Sequence, residues 1–115
     1  MSVTRNERLA WLGAEYATYR QARSDGDIAG AWRHLERAHI VSQPLLLEHL
    51  RSHWLMLKLA MRERDLAESA GQVLRLLLVV PGNLSGRLPT GNSGRAGVSA
   101  LRPMSVSQDL ERFVQ

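Results

Sequence analysis

Short clusters of turn-forming residues divide this chain into segments, and they constrain its fold more than any other feature. The clusters are SDGD, SQP, RERD and PGN, which begin at residues 24, 42, 62 and 81. Leucine, alanine and arginine dominate the sequence, whereas β-branched and aromatic residues are sparse, which favours helix over strand. The chain is therefore predicted to be all-α.

The clusters set the ends of four predicted helices. These cover residues 3–23, 28–41, 44–64 and 66–80. Asp27 and Asp65 precede the second and fourth helices, where a carboxylate can accept hydrogen bonds from free amides of the first turn. Pro44 is predicted to begin the third helix, because a proline at the first position loses no helical hydrogen bond. Pro81 is predicted to end the fourth helix.

The helices show a weak internal repeat. Asp27 and Asp65 are separated by 38 residues, close to the period of about 34 residues in tetratricopeptide (TPR) repeats. The predicted fold is therefore two antiparallel TPR-like helical hairpins with an N-terminal helix. Because such arrays usually need three repeats for independent stability, the open faces of two hairpins require a cap.

The segment rich in glycine and proline, residues 81–103, is predicted to supply that cap as an irregular but ordered wrap. Four apolar residues are predicted to anchor it: Leu84, Leu88, Val98 and Leu101. A short helix is predicted to follow, with Ser105 or Ser107 as its N-cap. Its predicted buried residues are Leu110, Phe113 and Val114.

Length and hydrophobic content predict one domain. A chain of 115 residues with 44% hydrophobic content is long enough for a single core. The predicted domain spans residues 1–115, with the hairpins at about 3–80 and the ordered tail at about 81–115. The tryptophans Trp11, Trp32 and Trp54 lie at helical positions and are predicted to anchor the core.

Charge and composition argue against several classes of protein. The formal charge of +4 comes mostly from scattered arginines, with no basic stripe interleaved with aromatics, so there is no nucleic-acid signature. No cysteine is present, which excludes disulfides and thiolate metal ligands. The longest apolar run, LLLVVP, is far shorter than the roughly 20 residues of a membrane span. A cytoplasmic, bacterial-type protein is expected, since no signal peptide is recognisable.

All four histidines lie within twenty positions, at His34, His39, His49 and His53. If the second and third helices form a hairpin about the SQP cluster, His39 and His49 stand at similar heights. His49 and His53 are four residues apart and share one helix face, as do Glu36 and His39, which are three apart. The cluster can therefore converge between two helices.

Imidazole and carboxylate ligands from facing helices are typical of metal sites in helical bundles. The predicted site is mononuclear and would hold zinc, copper, nickel or iron. Its candidate ligands are Glu36, His39, His49 and His53, with Glu48 or His34 as residues that orient them. A di-iron centre is disfavoured, because its Glu-x-x-His motif occurs here once rather than twice.

Other interpretations of the histidines remain open. They can be partly buried helix residues that hydrogen-bond to Glu36, Glu48 or the tail. Haem ligation and a proton-linked switch are further alternatives. The segment GNSGRAG, residues 91–97, offers backbone amides and Arg95 that could hold an anion.

The functional prediction is a small non-enzymatic helical protein that binds a transition metal. No cysteine nucleophile or serine elbow is present, although a hydrolase that uses metal-activated water is a weaker alternative. The alternative from another class is a TPR-like module that binds a protein or peptide partner in its groove, with purely structural histidines. The oligomeric state is left open.

Several sequence blocks carry a likeness to a known family. These are HLERAHI, SQP, the His49 and His53 pair, and GNSG followed by RPM. Together they make residues 28 to 105 similar to a family of small bacterial proteins known as a domain of unknown function. The resemblance implies that the tail is part of the domain, but it implies no activity, cofactor or partner.

Overall fold

Helices account for all the regular structure in the part of the chain that the computed structural model describes, residues 3–86 and 88–114. The elements are α1 (Arg5–Ser24), α2 (Ile28–Ser42), α3 (Leu46–Arg62), α4 (Leu66–Ser85), the 3-10 turn Gln108–Leu110 and α5 (Glu111–Val114). The all-α prediction is confirmed. No helix in these two ranges is long and apolar enough to cross a membrane.

The long helices pack as two hairpins, α1 against α2 and α3 against α4, and α2 also packs against α3. Large buried side chains of α1, α2 and α3 form a continuous hydrophobic core. The terminal segment completes this core, because Leu110 and Phe113 are buried in it as predicted. Val114 is only partly buried.

The α4 helix differs from the others in polarity. Its buried residues are Glu68, Gln72 and Val79, so two of the three side chains that it buries are polar. Large apolar residues of the same helix are exposed, among them Leu66 and Leu77. The inner face of α4 is therefore suited to hydrogen bonding with the tail, and its outer face is apolar.

The two aspartate caps are confirmed. The Asp27 side chain accepts from Gly30 N, and the Asp65 side chain accepts from Glu68 N. The predicted start of the third helix is wrong, because α3 begins at Leu46. Residues 42–45 instead form a turn closed by a hydrogen bond from Leu45 N to Ser42 O, and this turn includes Pro44.

The predicted end of the fourth helix is also wrong, because α4 continues through Pro81 to Ser85. A proline removes one helical hydrogen bond. The Asn83 side chain donates to Gln43 O at 2.7 Å and so holds the last turn against the connection between α2 and α3. The helix ends at Gly86, whose left-handed conformation (φ 69°) is favourable for glycine.

The tail wraps over α4, but the predicted apolar anchors do not hold it. Leu84 and Leu101 are 80% and 79% exposed, and Leu88 and Val98 are only partly buried. Between residues 88 and 103, the buried part of the tail is the polar stretch 91–94. Hydrogen bonds to α4 therefore take the place of the predicted hydrophobic contacts.

Glu68 is the principal attachment point for the tail. Its carboxylate accepts from Arg95 Nε at 2.9 Å and from Ala96 N at 2.8 Å. The anion held by the GNSGRAG segment is thus a carboxylate of the chain itself. A Cβ at Gly71 would lie 2.2 Å from the Ala96 Cβ, so the lack of a side chain at this position permits the close approach.

The prediction for the tryptophans is only partly correct. Trp11 and Trp32 are partly buried and pack against the core. Trp54 is 54% exposed, so its prediction as a core anchor is wrong. Leu47 and Met61 lie seven residues before and after it and are exposed as well. This face of α3 is left largely uncovered.

We expect Glu68→Ala to lower the free energy of unfolding by about 2–3 kcal/mol, because it removes a buried charged acceptor and leaves the Arg95 guanidinium without its closest partner. Glu63→Ala, at an exposed position before α4, should change it by no more than about 0.5 kcal/mol. Urea denaturation measures both. Equal stabilities of the two variants would contradict the role of Glu68.

Candidate metal centre

Three of the four histidines meet in the interior. His39 comes from α2, while His49 and His53 come from successive turns of α3, and all three are buried. Their ring centroids are 4.6 to 5.1 Å apart. One nitrogen of each ring lies within 4.8 Å of those of the other two. These residues are called the histidine triad below.

The His39 ring is oriented by the tail. Its Nδ1 lies 2.7 Å from the backbone oxygen of Asn92, which can only accept, so Nδ1 carries the proton. The Asn92 side chain is itself fixed, because Nδ2 donates to the backbone oxygens of Ser99 and Arg102 and Oδ1 accepts from Gly94 N. The tail therefore presents a rigid acceptor to the triad.

The His49 ring is oriented by the last turn of α4. Its Nδ1 lies 2.8 Å from Asn83 Oδ1. Asn83 Nδ2 donates to Gln43 O, which fixes the orientation of the amide and leaves Oδ1 facing the ring. Nδ1 of His49 is therefore also a donor.

The His53 ring is oriented by the inner face of α4. Its Nδ1 lies 2.7 Å from Gln72 Oε1. Gln72 Nε2 donates to Glu68 Oε2 at 2.8 Å and to Gly94 O at 3.0 Å, so its amide has one consistent orientation. All three imidazoles thus carry their proton on Nδ1, and in the neutral form each Nε2 has a free lone pair.

The distance between two of these nitrogens is close to that found in metal sites. His39 Nε2 and His49 Nε2 are 3.1 Å apart. Two nitrogens bound to one tetrahedral ion at about 2.0–2.1 Å would be about 3.3 Å apart. The Nδ1 protons are meanwhile held by oxygen acceptors, as is usual for metal-bound histidines.

Burial keeps the triad neutral. Burial, together with the neighbouring imidazoles of His53 and His49, lowers the pKa of His39 well below its usual value. Burial also lowers the pKa of His49, although the hydrogen bond to Asn83 opposes the effect. Burial lowers the pKa of His53 to about 4. At neutral pH the three side chains are therefore in the protonation state that a metal ion requires.

Gly94 lets the tail approach the His39 ring. Its φ of 84° is in the left-handed region, and a Cβ there would lie 2.7 Å from His39 Cγ. A side chain at this position would be strained and would also collide with the imidazole. The GNSG block therefore has a role at the histidine triad, which its sequence did not reveal.

A cavity of about 420 Å³ borders the triad on one side. Residues from the C-terminal half of α4 and from the tail line it, and several of them are apolar, including Leu78, Val79 and Leu88. Arg75 also lines it. No aspartate or glutamate is found among the described residues that line the cavity. An ion bound by the triad would thus face a cavity that is partly open to solvent.

Glu36 is a predicted ligand that the structure places elsewhere. Its carboxylate lies 4.0 Å from Arg95 Nη1 and is not in the group of converging ligand atoms formed by the triad. Burial raises the pKa of Glu36, while the charge of Arg95 opposes this rise. Glu36 therefore helps to hold the tail.

The two predicted orienting residues also have other partners. His34 Nδ1 lies 2.7 Å from Glu15 Oε1, on α1. Glu48 lies 3.8 Å from Arg51, one turn further along α3. The residues that do orient the triad, Gln72, Asn83 and Asn92, were missed. The only signal for Asn92 was its place in the GNSG block. Asn83 was missed because the fourth helix was predicted to end before it, at Pro81.

Comparison with known families confirms the resemblance to a domain of unknown function. Residues 7–114 match a family described as "Protein of unknown function (DUF3703)". The match covers α1 from Glu7 onwards, the triad and the tail as far as Val114. No curated protein and no solved structure matches the chain.

The depressed histidine pKa values predict acid sensitivity of the metal-free protein. Since His53 titrates at about 4 when folded and near 6.5 when unfolded, the unfolded state binds more protons between these values. The free energy of unfolding should therefore fall as the pH is lowered from 6.5 to 4, by up to about 1.4 kcal/mol per pH unit from His53.

Urea denaturation at a series of pH values would measure this fall. In His53→Gln the slope over this range should be shallower, because one of the shifted groups is gone. A wild-type stability that does not change between pH 6.5 and pH 4 would contradict the prediction.

Proposed function

We propose that this chain, which belongs to the DUF3703 family of proteins of unknown function, binds one transition-metal ion through the histidine triad. The observation that supports this function most directly is the 3.1 Å separation of His39 Nε2 and His49 Nε2. Both rings donate from Nδ1 to oxygen acceptors, so two free lone pairs face each other across this distance.

Such a pair of lone pairs requires a positive charge between them. In water, a proton on one of the two nitrogens would supply this charge. In the protein, burial lowers the pKa of both rings and disfavours the protonated form. A metal ion bound by both nitrogens, and by the free nitrogen of His53, removes the repulsion. It also offsets the cost of burying three neutral polar rings.

The ligand set indicates the class of metal. Neutral imidazole nitrogens suit zinc, copper, nickel and iron rather than magnesium or calcium, which prefer oxygen. Three protein ligands leave at least one coordination position open, and the cavity lies beside the triad.

We expect His49→Ala to weaken zinc binding by at least about 100-fold, because it removes a direct ligand. His34→Ala is the matched control, since His34 contacts Glu15 and not the triad. Competition with a chromophoric chelator gives the affinities, and elemental analysis of untagged protein gives the stoichiometry and the metal acquired in cells. One ion per wild-type chain is expected.

Circular dichroism of both variants separates loss of the site from loss of the fold. If wild-type protein takes up no zinc, copper, nickel or iron, or if His49→Ala binds as tightly as His34→Ala, the proposed function is wrong. The histidines would then be structural residues within the polar network.

A second candidate function is supported by the outer face of α4. Apolar residues recur there at alternating spacings of four and three, the pattern of a coiled-coil seam. They are Leu66, Ala70, Val73, Leu77, Val80 and Leu84. Leu66 is 82% exposed, and Leu77 is 70% exposed. The seam fits a helix of a second copy of this chain, and it is a different surface from the groove of the predicted TPR-like module.

We expect the wild-type protein to self-associate and Leu77→Glu to shift it towards monomer, because the substitution places a charge in the centre of the seam. Leu47→Glu is the control, since Leu47 lies on α3 and is 75% exposed. Light scattering coupled to size-exclusion chromatography measures the molar mass. A wild type that is monomeric at high concentration would exclude self-association through α4.

A further inference from the structure

We infer that the open coordination position is filled by the carboxylate of a small molecule with an apolar body, bound in the cavity beside Arg75. This inference rests on the proposed metal site and specifies the chemistry of its external ligand. Three properties of the cavity support it, namely its charge, the free donors of Arg75 and its apolar walls.

The first property is an excess of positive charge. Three neutral imidazoles add nothing to the charge of a divalent ion, and Arg75 adds a further positive charge to the same cavity. The described lining contains no acidic residue. Burial lowers the pKa of Arg75 and the charge of Glu68 opposes this effect, but this carboxylate is paired with Arg95 Nε at 2.9 Å. An anion from solution would neutralise the positive charge that Glu68 leaves in the cavity.

The second property is the availability of Arg75. Its Nη2 donates to the backbone oxygen of Val98, which fixes the side chain between α4 and the tail. Within residues 3–86 and 88–114, no carboxylate forms an ion pair with it. A guanidinium has five N–H donors, so most of them remain for an incoming carboxylate. Arg75 and the three histidines line the same cavity, so the inference places the carboxylate between the metal and Arg75.

The third property is the apolar surface around these charges. The cavity volume of about 420 Å³ is within the range of small-molecule sites and is far larger than a chloride or a water molecule needs. Leu78, Leu88 and Pro89 are among its walls. An inorganic anion would leave these walls in contact with water, whereas a short aliphatic chain on the carboxylate would cover them.

The test uses protein loaded with cobalt(II), whose visible absorption reports changes in coordination. Acetate, butyrate and hexanoate are titrated separately into the loaded protein. Each should change the spectrum, with an affinity that rises about three- to fourfold per added methylene. In Arg75→Gln the affinity for hexanoate should fall at least tenfold, while Arg62→Gln, at an exposed position at the end of α3, should bind as the wild type does.

The possible outcomes test the metal site and the external ligand separately. Cobalt uptake without any spectral response to carboxylates would overturn the external ligand but leave the metal site intact. Equal affinities for acetate and hexanoate would contradict the inference that the ligand has an apolar body. Unchanged hexanoate binding in Arg75→Gln would contradict the role of Arg75 in binding the carboxylate. Failure to take up cobalt would remove the metal site and the external ligand together.

Arg75 also holds the tail through Val98, so Arg75→Gln could weaken hexanoate binding by disturbing the fold. Arg75→Lys is a control for this effect. Should Arg75→Gln lose helicity or cobalt, the lysine variant decides instead. It keeps the positive charge, so we expect it to retain cobalt and to bind hexanoate more tightly than acetate. A lysine variant that retains cobalt but shows no preference for hexanoate would overturn the inference.

Discussion

The hydrogen bonds from the three triad Nδ1 atoms are the interactions on which the rest of the structure depends. Each runs to a different segment: to the tail at Asn92, to the last turn of α4 at Asn83 and to its inner face at Gln72. These bonds join the α2 and α3 helices to parts of the chain that share little hydrophobic core with them. They also fix the tautomer of every ring, so the same contacts that hold the fold prepare the metal ligands.

The polarity of α4 follows from this arrangement. Its inner side chains Glu68 and Gln72 receive the tail and orient His53. Burial alone would raise the pKa of Glu68, but hydrogen bonds from Ala96, Gln72 and Arg95 outweigh it and lower the pKa, which keeps the carboxylate charged. The inner face makes mainly polar contacts, and large apolar residues of α4 such as Leu66 and Leu77 lie outside. The attachment of the tail and the exposed apolar seam thus both follow from the distribution of polar and apolar residues on α4.

Local sequence patterns predicted the helices well, because helix formation depends on nearby residues. Asp27 and Asp65 cap the helices they were predicted to cap, since a cap needs only its own side chain and the amides of the next turn. The rules for proline failed at Pro44, which lies in a turn before α3, and at Pro81, where α4 continues and Asn83 holds its last turn against Gln43. The predicted apolar anchors of the tail failed because its attachment is made through polar groups.

The sequence by itself determined that the chain is helical and that three of its histidines stand on faces able to converge. Periodicity and spacing are enough for this, because they follow from helix geometry. Only the tertiary structure decided which groups surround the histidines. Gln72, Asn83 and Asn92 lie 19 to 53 residues from the rings that they orient. Such partners are chosen by how the tail and α4 fold over the core, and no local pattern encodes that choice.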